Sequence, residues 1–207
     1  MITKERIESR AALRQLKQPL FDTGHILTGA ATIRVNFFQA PQGQPIVAAG
    51  ALKTEADTNL TQAGQLGRPQ EFDLYGFALE LIIVGNVAET TDTDLGMIYD
   101  TGAFEFYFGQ QRPWLQVPAD QVPNGTGIEG AVACANDGAA VNYLWAHNGE
   151  GASDAMYNFT IGKKPIPVGS LENFSARLDW PGGAITITGA AAIRARCFMK
   201  GVLYAAL

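Results

Sequence analysis

The stretch FDLYGFALELIIV, residues 72–84, has apolar residues at nearly every position. Side chains of a strand alternate between its two faces, so odd and even positions of this stretch face opposite sides. A strand with one solvated face carries a polar residue at every second position. Here only Glu80 interrupts the even-numbered face between residues 76 and 84. The pattern predicts a long strand that is covered on both sides.

Gly76 predicts an irregularity in this strand, because a β-bulge adds one residue and swaps the face of everything beyond it. A bulge here would place Phe72 and Leu74 on the same side as Phe77 and the later odd-numbered residues. The other face would still need cover, and we expect it to bind a neighbouring subunit or the N-terminal arm. A buried partner of Glu80, such as an arginine, would support that contact, and a solvent-exposed Glu80 would weaken it. The residues of this predicted partner-binding face are Glu80, Ile82 and Val84.

Further apolar–polar alternation, punctuated by Gly, Pro, Asn and Asp, predicts short strands along most of the chain. The row Phe104, Phe106 and Phe108 reads as the inward face of one of them. Short strands without a βαβ rhythm indicate an all-β sandwich of about eight strands, and the long connections favour a jelly roll over an immunoglobulin-like fold. The other predicted strands lie within 25–38, 46–52, 113–118, 156–162, 171–180, 184–189 and 193–207.

The first residues differ in character, since residues 3–18 lack Gly and Pro and end before Pro19, which predicts a helix. Five basic and two acidic residues give residues 1–20 a charge of +3, against −8 for the remainder of a chain whose net charge is −5. We predict an arm at 1–24, partly helical, and a jelly-roll domain at 25–207. The arm residues expected to bind a partner are Lys4, Arg6, Arg10, Leu13, Arg14, Leu16 and Lys17.

Such an arm has two interpretations. It is either a solvated helix face, or a segment that crosses to a neighbouring subunit or to an anionic surface. The first residues also show no secretory signal, and no apolar run reaches the length of a membrane span. Cys134 and Cys197 lack the spacing of a zinc site and read as buried free thiols.

Few residues suggest catalysis. The chain has only two histidines, His25 and His147, and no nucleophile, phosphate-binding or metalloprotease motif. We expect no enzyme activity, no catalytic residue, no metal and no cofactor. Carboxylates do gather at residues 89–100, and they read as a solvated acidic loop rather than as a Ca²⁺ site, because their spacing does not match a helix–loop–helix calcium loop.

Aromatic residues leave one alternative open. A carbohydrate-binding or adhesion module presents exposed Trp and Tyr beside polar groups, and residues 145–151, WAHNGEG, are a candidate binding loop. Core packing is the commoner use of such residues. A glycan hydrolase with a pair of carboxylates is a more distant alternative, because no particular pair stands out.

Four segments carry a resemblance to a known family. These segments resemble jelly-roll capsid proteins of tailless icosahedral bacteriophages. They are the loop and strand at 57–81, the segments 106–130 and 166–183, and the closing strand from Ile193, which ends in the apolar run Gly201–Leu207. The likeness spans most of residues 30–207 and rests on pattern and turn placement. It implies a single jelly roll with an N-terminal arm that acts through self-association and has no active site.

This resemblance implies a virion structural protein, made in the host cytoplasm and located in the virion. Its expected partners are further copies of itself in a homo-oligomer and other virion proteins, with a weak contact between the basic arm and nucleic acid or an inner membrane. No small-molecule substrate is expected. The alternative function is the carbohydrate-binding or adhesion module.

Overall fold

The computed structural model describes residues 13–46, 51–87, 91–109, 112–123, 135–136, 141–142, 155–158, 164–188 and 190–206. Nearly all regular structure in them is antiparallel strand. The strands are β1 (Arg14–Leu16), β2 (Leu20–Leu27), β3 (Arg34–Phe37), β4 (Glu71–Val87), β5 (Ala103–Phe108), β6 (Leu115–Pro118), β7 (Ala135–Asn136), β8 (Val141–Asn142), β9 (Tyr157–Asn158), β10 (Ile166–Val168), β11 (Phe174–Asp179) and β12 (Ala190–Ala205). One helix, α1 (Thr91–Thr101), and a 3₁₀ turn (Ala119–Gln121) complete the described elements.

Two sheets form an all-β sandwich. In the six-stranded sheet, β12 lies between β4 on one edge and β1 and β2 on the other, while β9 and β10 pair with the far edge of β4. The four-stranded sheet has the order β3-β11-β5-β6. The two short strands β7 and β8 pair only with each other among the described strands.

Aromatic side chains fill the space between the sheets. The ring of Phe77 on β4 lies 5.1 Å from that of Phe104 and 4.8 Å from that of Phe106 on β5, measured between centroids. Phe104 and Phe106 are fully buried and Phe108 packs against the same core, so the predicted inward row is confirmed. Aromatic residues contribute the largest buried areas of any side chains, which makes this contact the centre of the core.

The predicted irregularity at Gly76 is confirmed by the pairing of β4 with β12. Gly76 pairs with Lys200 and Leu74 pairs with Gly201, so Tyr75 is the extra residue of a bulge. The bulge brings Leu74 onto the core side with Phe77, and both are fully buried. The bulge therefore explains part of the apolar pattern on both faces of β4, because the residues before it and after it that look opposite in sequence lie on the same side.

Four sequence predictions need correction. Residues 14–16 form a strand, so the helix predicted over 3–18 does not reach them; residues 1–12 lie outside the described residues. The single strand predicted within 25–38 is two strands, β2 and β3, and β2 begins at Leu20, so it crosses the expected boundary between arm and body at residue 24. The expected acidic loop at 89–100 is largely the helix α1. The strand predicted at 184–189 contributes only a bridge between Ile185 and Thr32.

We expect Gly201→Ala to lower the free energy of unfolding by about 1–3 kcal/mol. An added Cβ would collide with the carbonyl oxygen of Asp73 and with the Phe72 ring across the β4–β12 ladder. Gly96→Ala is the control, because a Cβ on Gly96 in α1 meets no atom within 4 Å. It should stabilise by about 0.5–1 kcal/mol through helix propensity. Urea unfolding measures both; equal effects would contradict the close approach at Gly201.

Candidate functional site

The outer face of the six-stranded sheet, which points away from the four-stranded sheet, contains the predicted partner-binding residues. Alternate residues of β12 separate the two faces: those toward the core are buried, and those on the outer face from Arg194 to Tyr204 are half-buried. On β4 the outer face is more deeply covered, since Ala78 is fully buried and Glu80 is 7% exposed. Ile82 is half-buried, and only the backbone of Val84 is described, paired with Ala192.

Glu80 has the arginine partner that its burial requires. Arg196 lies directly opposite on β12, and its guanidinium is 3.3 Å from the Glu80 carboxylate. The same guanidinium donates to the Thr23 hydroxyl at 3.2 Å and to the carbonyl of Ala56 at 3.1 Å. Burial raises the pKa of the Glu80 carboxyl, and Arg196 opposes that rise. The pair belongs to a single chain, so Glu80 by itself does not mark a contact between subunits.

Residues 51–60 carry this polar network around the edge of β2. Thr58 and Asn59 hold the backbone of Phe21. The Thr58 hydroxyl and the backbone N–H of Asn59 donate to its carbonyl, and its own N–H donates to the side-chain oxygen of Asn59. On the outer side, Asp57 accepts from the backbone and hydroxyl of Thr54. Burial raises the pKa of Asp57, but these bonds and the nearby Arg194 and His25 together lower it below its usual value. Residues 51–60 thus cover the free edge of β2, which would otherwise be exposed to solvent.

On the core side of β2, the same segment supplies a buried ion pair. The Lys53 ammonium lies 2.6 Å from the Asp22 carboxylate, and both side chains are almost completely buried. Asp22 also accepts the backbone N–H of Phe38 at 2.6 Å, where Phe38 has a φ of 66°, a conformation that non-glycine residues rarely adopt. Burial raises the pKa of Asp22, with Lys53 acting against it. Neither residue was singled out from the sequence, because a charged residue inside a strand is recognisable only once its register is known.

His25 on β2 gives the outer face a pH dependence. Burial lowers the pKa of His25, and the nearby Arg194 lowers it further, while Asp57 raises it. The unfolded chain therefore takes up this proton more readily than the folded one. The His25 contribution to stability is present above about pH 6.5 and is lost as pH falls from there through the lower pKa of the folded chain.

We expect His25→Asn to reduce the loss of stability between pH 7.5 and pH 5. Urea unfolding of the variant and the original chain at both pH values measures the difference. An identical drop in both proteins would show that the proton uptake occurs elsewhere.

The arm residues predicted to bind a partner divide into two groups. Leu16 packs against the core and Leu13 is half-buried, whereas Arg14 and Lys17 are exposed. Residues 14–16 pair with Ala205 to Leu203 of β12. Lys4, Arg6 and Arg10 lie outside the described residues. The described end of the arm is thus a strand of the six-stranded sheet.

In the described part of the acidic segment 89–100, the residues pack against the core rather than forming a solvated loop. Leu95 and Ile98 of α1 are buried, and the Trp180 indole N–H donates to the Ile98 carbonyl at 3.4 Å. Asp94 is buried and accepts the backbone N–H of Thr188 at 3.0 Å. Within the described part of the chain, no three His, Cys, Asp or Glu side chains are grouped as metal ligands. Glu89 lies outside it.

The four-stranded sheet carries a polar outer surface centred on Glu105. This carboxylate is 2.8 Å from Arg177 and accepts the Tyr107 hydroxyl at 2.6 Å and the Gln116 amide at 2.9 Å. The Arg177 guanidinium also lies 3.9 Å from the centroid of the Tyr107 ring, a cation–π contact. These bonds hold Tyr107 in one orientation.

Beside this network is an open cavity of about 500 Å³, which we call the Tyr107 cavity. Its polar lining in the described part of the chain consists of Gln39, Tyr107, Asn173 and Ser175, all of which are uncharged. Of the other aromatics considered as sugar platforms, Trp114 is 51% exposed and Trp180 is buried. The predicted binding loop 145–151 and His147 lie outside the described residues, as does Cys134; Cys197 is a buried free thiol, as expected.

Comparisons with protein-family models, with curated proteins and with solved structures found no match. None of the helices among the described residues is long and apolar enough to cross a membrane. The function has to be inferred from the strand order and the surfaces of the chain itself.

Proposed function

We propose that the protein is a single jelly roll and a virion structural protein that assembles with copies of itself. The observation that carries the proposal is the nesting of eight strands. In chain order these are β2, β3, β4, β5, β6, β10, β11 and β12. The first pairs with the eighth, the second with the seventh, the third with the sixth and the fourth with the fifth.

This nesting is what results when one long antiparallel hairpin of eight strands is rolled into two sheets. The sheets then have the orders first-eighth-third-sixth and second-seventh-fourth-fifth, which are the orders seen for β2-β12-β4-β10 and β3-β11-β5-β6. Jelly rolls are double-sheet folds of this kind, and viral capsid proteins are prominent among them. Because a fold does not fix a function, the resemblance of the sequence to phage capsid proteins supplies the second support.

The surface offers contacts that suit self-association. Leu27 and Ile33, which are 40% and 61% exposed, stand on either side of the turn that joins β2 to β3. Single exposed apolar residues are common on any protein, but two at one corner form a more useful contact. In a closed assembly the same patch is repeated in every subunit, so a modest interface is multiplied.

We expect deletion of residues 1–12 to impair assembly while leaving the body folded. It removes Lys4, Arg6 and Arg10 but keeps β1, whose loss would complicate the result. Sedimentation velocity of the full and shortened chains should show the oligomer shift to smaller species. The control replaces these three basic residues with glutamine at full length; if both variants assemble as the original does, the arm has no role in assembly.

The Tyr107 cavity favours a carbohydrate-binding module as a second candidate. Amide and hydroxyl groups around an immobilised aromatic ring suit a neutral polyhydroxylated ligand. If this function is right, the chain should bind a glycan array, Tyr107→Ala should abolish the signal, and Trp114→Ala should leave it intact. A monomeric chain with such binding would replace the capsid proposal; absence of any glycan signal would remove this candidate.

A further inference from the structure

Both neighbours of β12 depart from regular pairing at the same place. On one edge, β2 pairs with β12 as far as Met199 and β1 resumes at Leu203, so residues 200–202 face the linker 17–19 rather than a strand. On the other edge, the bulge at Tyr75 lies opposite Lys200 and Gly201. Bulges re-aim side chains and are frequent beside binding sites.

A partly enclosed cavity of about 520 Å³ occupies this break, and we call it the β12 cavity. This volume lies within the range of small-molecule sites. Its apolar lining comes from Pro19, Met156 and Val202, and the Tyr75 side chain, re-aimed by the bulge, also lines it. The remaining side chains are those of Lys17 and Lys200.

The charges of the β12 cavity are unusual for this chain. Among the described residues that line it, two are basic and none is acidic, although the whole chain has a net charge of −5. Two carboxylates of β4 have partners of their own: Asp73 accepts the Tyr204 hydroxyl at 3.0 Å, and Glu80 is paired with Arg196, while Lys200 adds a weaker attraction to Glu80. The Lys200 ammonium lies 4.9 Å from the centroid of the Phe198 ring, which keeps the side chain against the sheet.

We propose that the β12 cavity binds a single-chain anionic amphiphile, with its carboxylate between Lys17 and Lys200 and its alkyl chain along Pro19, Met156 and Val202. Two cations select the anion, and apolar walls select a chain over a small inorganic ion. This site is independent of the proposed role in assembly, because it lies within one chain.

Calorimetric titration of the full chain with hexanoate, octanoate and decanoate, each below its micelle concentration, tests the proposal. Affinity should rise about threefold to fourfold with each added methylene, as burial of apolar surface requires. Octanol and octyltrimethylammonium are the matched neutral and cationic probes, and each should bind at least about tenfold more weakly than octanoate. Added salt should weaken octanoate binding and leave octanol binding unchanged.

The double variant Lys17→Gln/Lys200→Gln should weaken octanoate binding by about tenfold or more. Lys164→Gln, an exposed lysine that does not line the cavity, is the control and should bind normally. Circular dichroism verifies that each variant is folded; if the double variant is not, either single variant replaces it.

Three results would overturn the proposal: no binding of decanoate, equal binding of octanol and octanoate, or equal affinity of the double variant and the original chain. A double variant that changes the sedimentation coefficient without any effect of octanoate would instead assign this surface to a second copy of the chain. A chain that fails to assemble can still bind octanoate, and a chain that assembles can fail to bind it, so failure here and failure of the capsid proposal are distinguishable.

Discussion

Replacing Lys53 with methionine will lower the free energy of unfolding by about 3–5 kcal/mol, the usual cost of breaking a buried ion pair. The Asp22 carboxylate would keep its burial and lose the ammonium at 2.6 Å. Burial already raises the pKa of this carboxyl, so the variant should protonate it at a higher pH still. The deficit relative to the original chain should therefore shrink in acid, which urea unfolding at pH 7 and pH 4.5 would detect.

The double variant Asp22→Asn/Lys53→Met is the informative partner. An asparagine oxygen can still accept the Phe38 N–H, and no charge remains buried, so most of the stability should return. The pair of exposed Arg34 and half-buried Asp179, which are 2.8 Å apart, provides the control at the surface. Asp179→Asn should change the free energy of unfolding by less than about 1 kcal/mol. Equal effects at the buried and exposed pairs would contradict the described placement of Lys53.

Leu74→Ala and Phe77→Ala will each destabilise the protein strongly, by about 2–5 and about 3–5 kcal/mol respectively. In a regular strand these two residues would face opposite sides, but the bulge at Tyr75 places both in the core. Tyr75→Ala should cost only about 1 kcal/mol, since Tyr75 is half-buried. Urea denaturation of the three variants measures the pattern. A harmless Leu74→Ala would mean that the strand runs without a bulge.

The sequence was most informative where local pattern and tertiary environment agree. Continuous apolar residues marked β4, and Gly76 pointed to the bulge, because few other residues tolerate the approach of Tyr157 of β9 there. The Phe104 row marked β5 in the same way. The all-β sandwich followed from such strands.

Prediction of strands from the sequence failed where polar residues or glycines occupy buried positions. The inward positions of β2 are Leu20, Asp22, Gly24 and Ile26, so its apolar alternation is interrupted by a charge and a glycine. Asp22 is stabilised there by Lys53, and Gly24 leaves room for Val35 of β3. The partners that explain Asp22 and Gly24 lie in other segments of the chain, so the local sequence of β2 does not reveal them.

The helix α1 and the strand β1 were missed for opposite reasons. Acidic residues and Gly96 made α1 look like a loop, while the burial of Leu95 and Ile98 stabilises it as a helix. Good helix formers made residues 14–16 look helical, while pairing with the end of β12 draws them into the sheet. In the candidate site, Glu80 was singled out from the sequence, but the identity of its partner, Arg196, needed the register of β4 and β12.

Electron microscopy of the purified full chain in negative stain tests the central proposal most directly. We expect regular closed shells, rings or other symmetric particles built from many copies, because a capsid subunit of the proposed kind forms repeated contacts with copies of itself. Fields that contain no particle larger than a single 22.1 kDa chain, at any concentration up to the solubility limit, would contradict a capsid function.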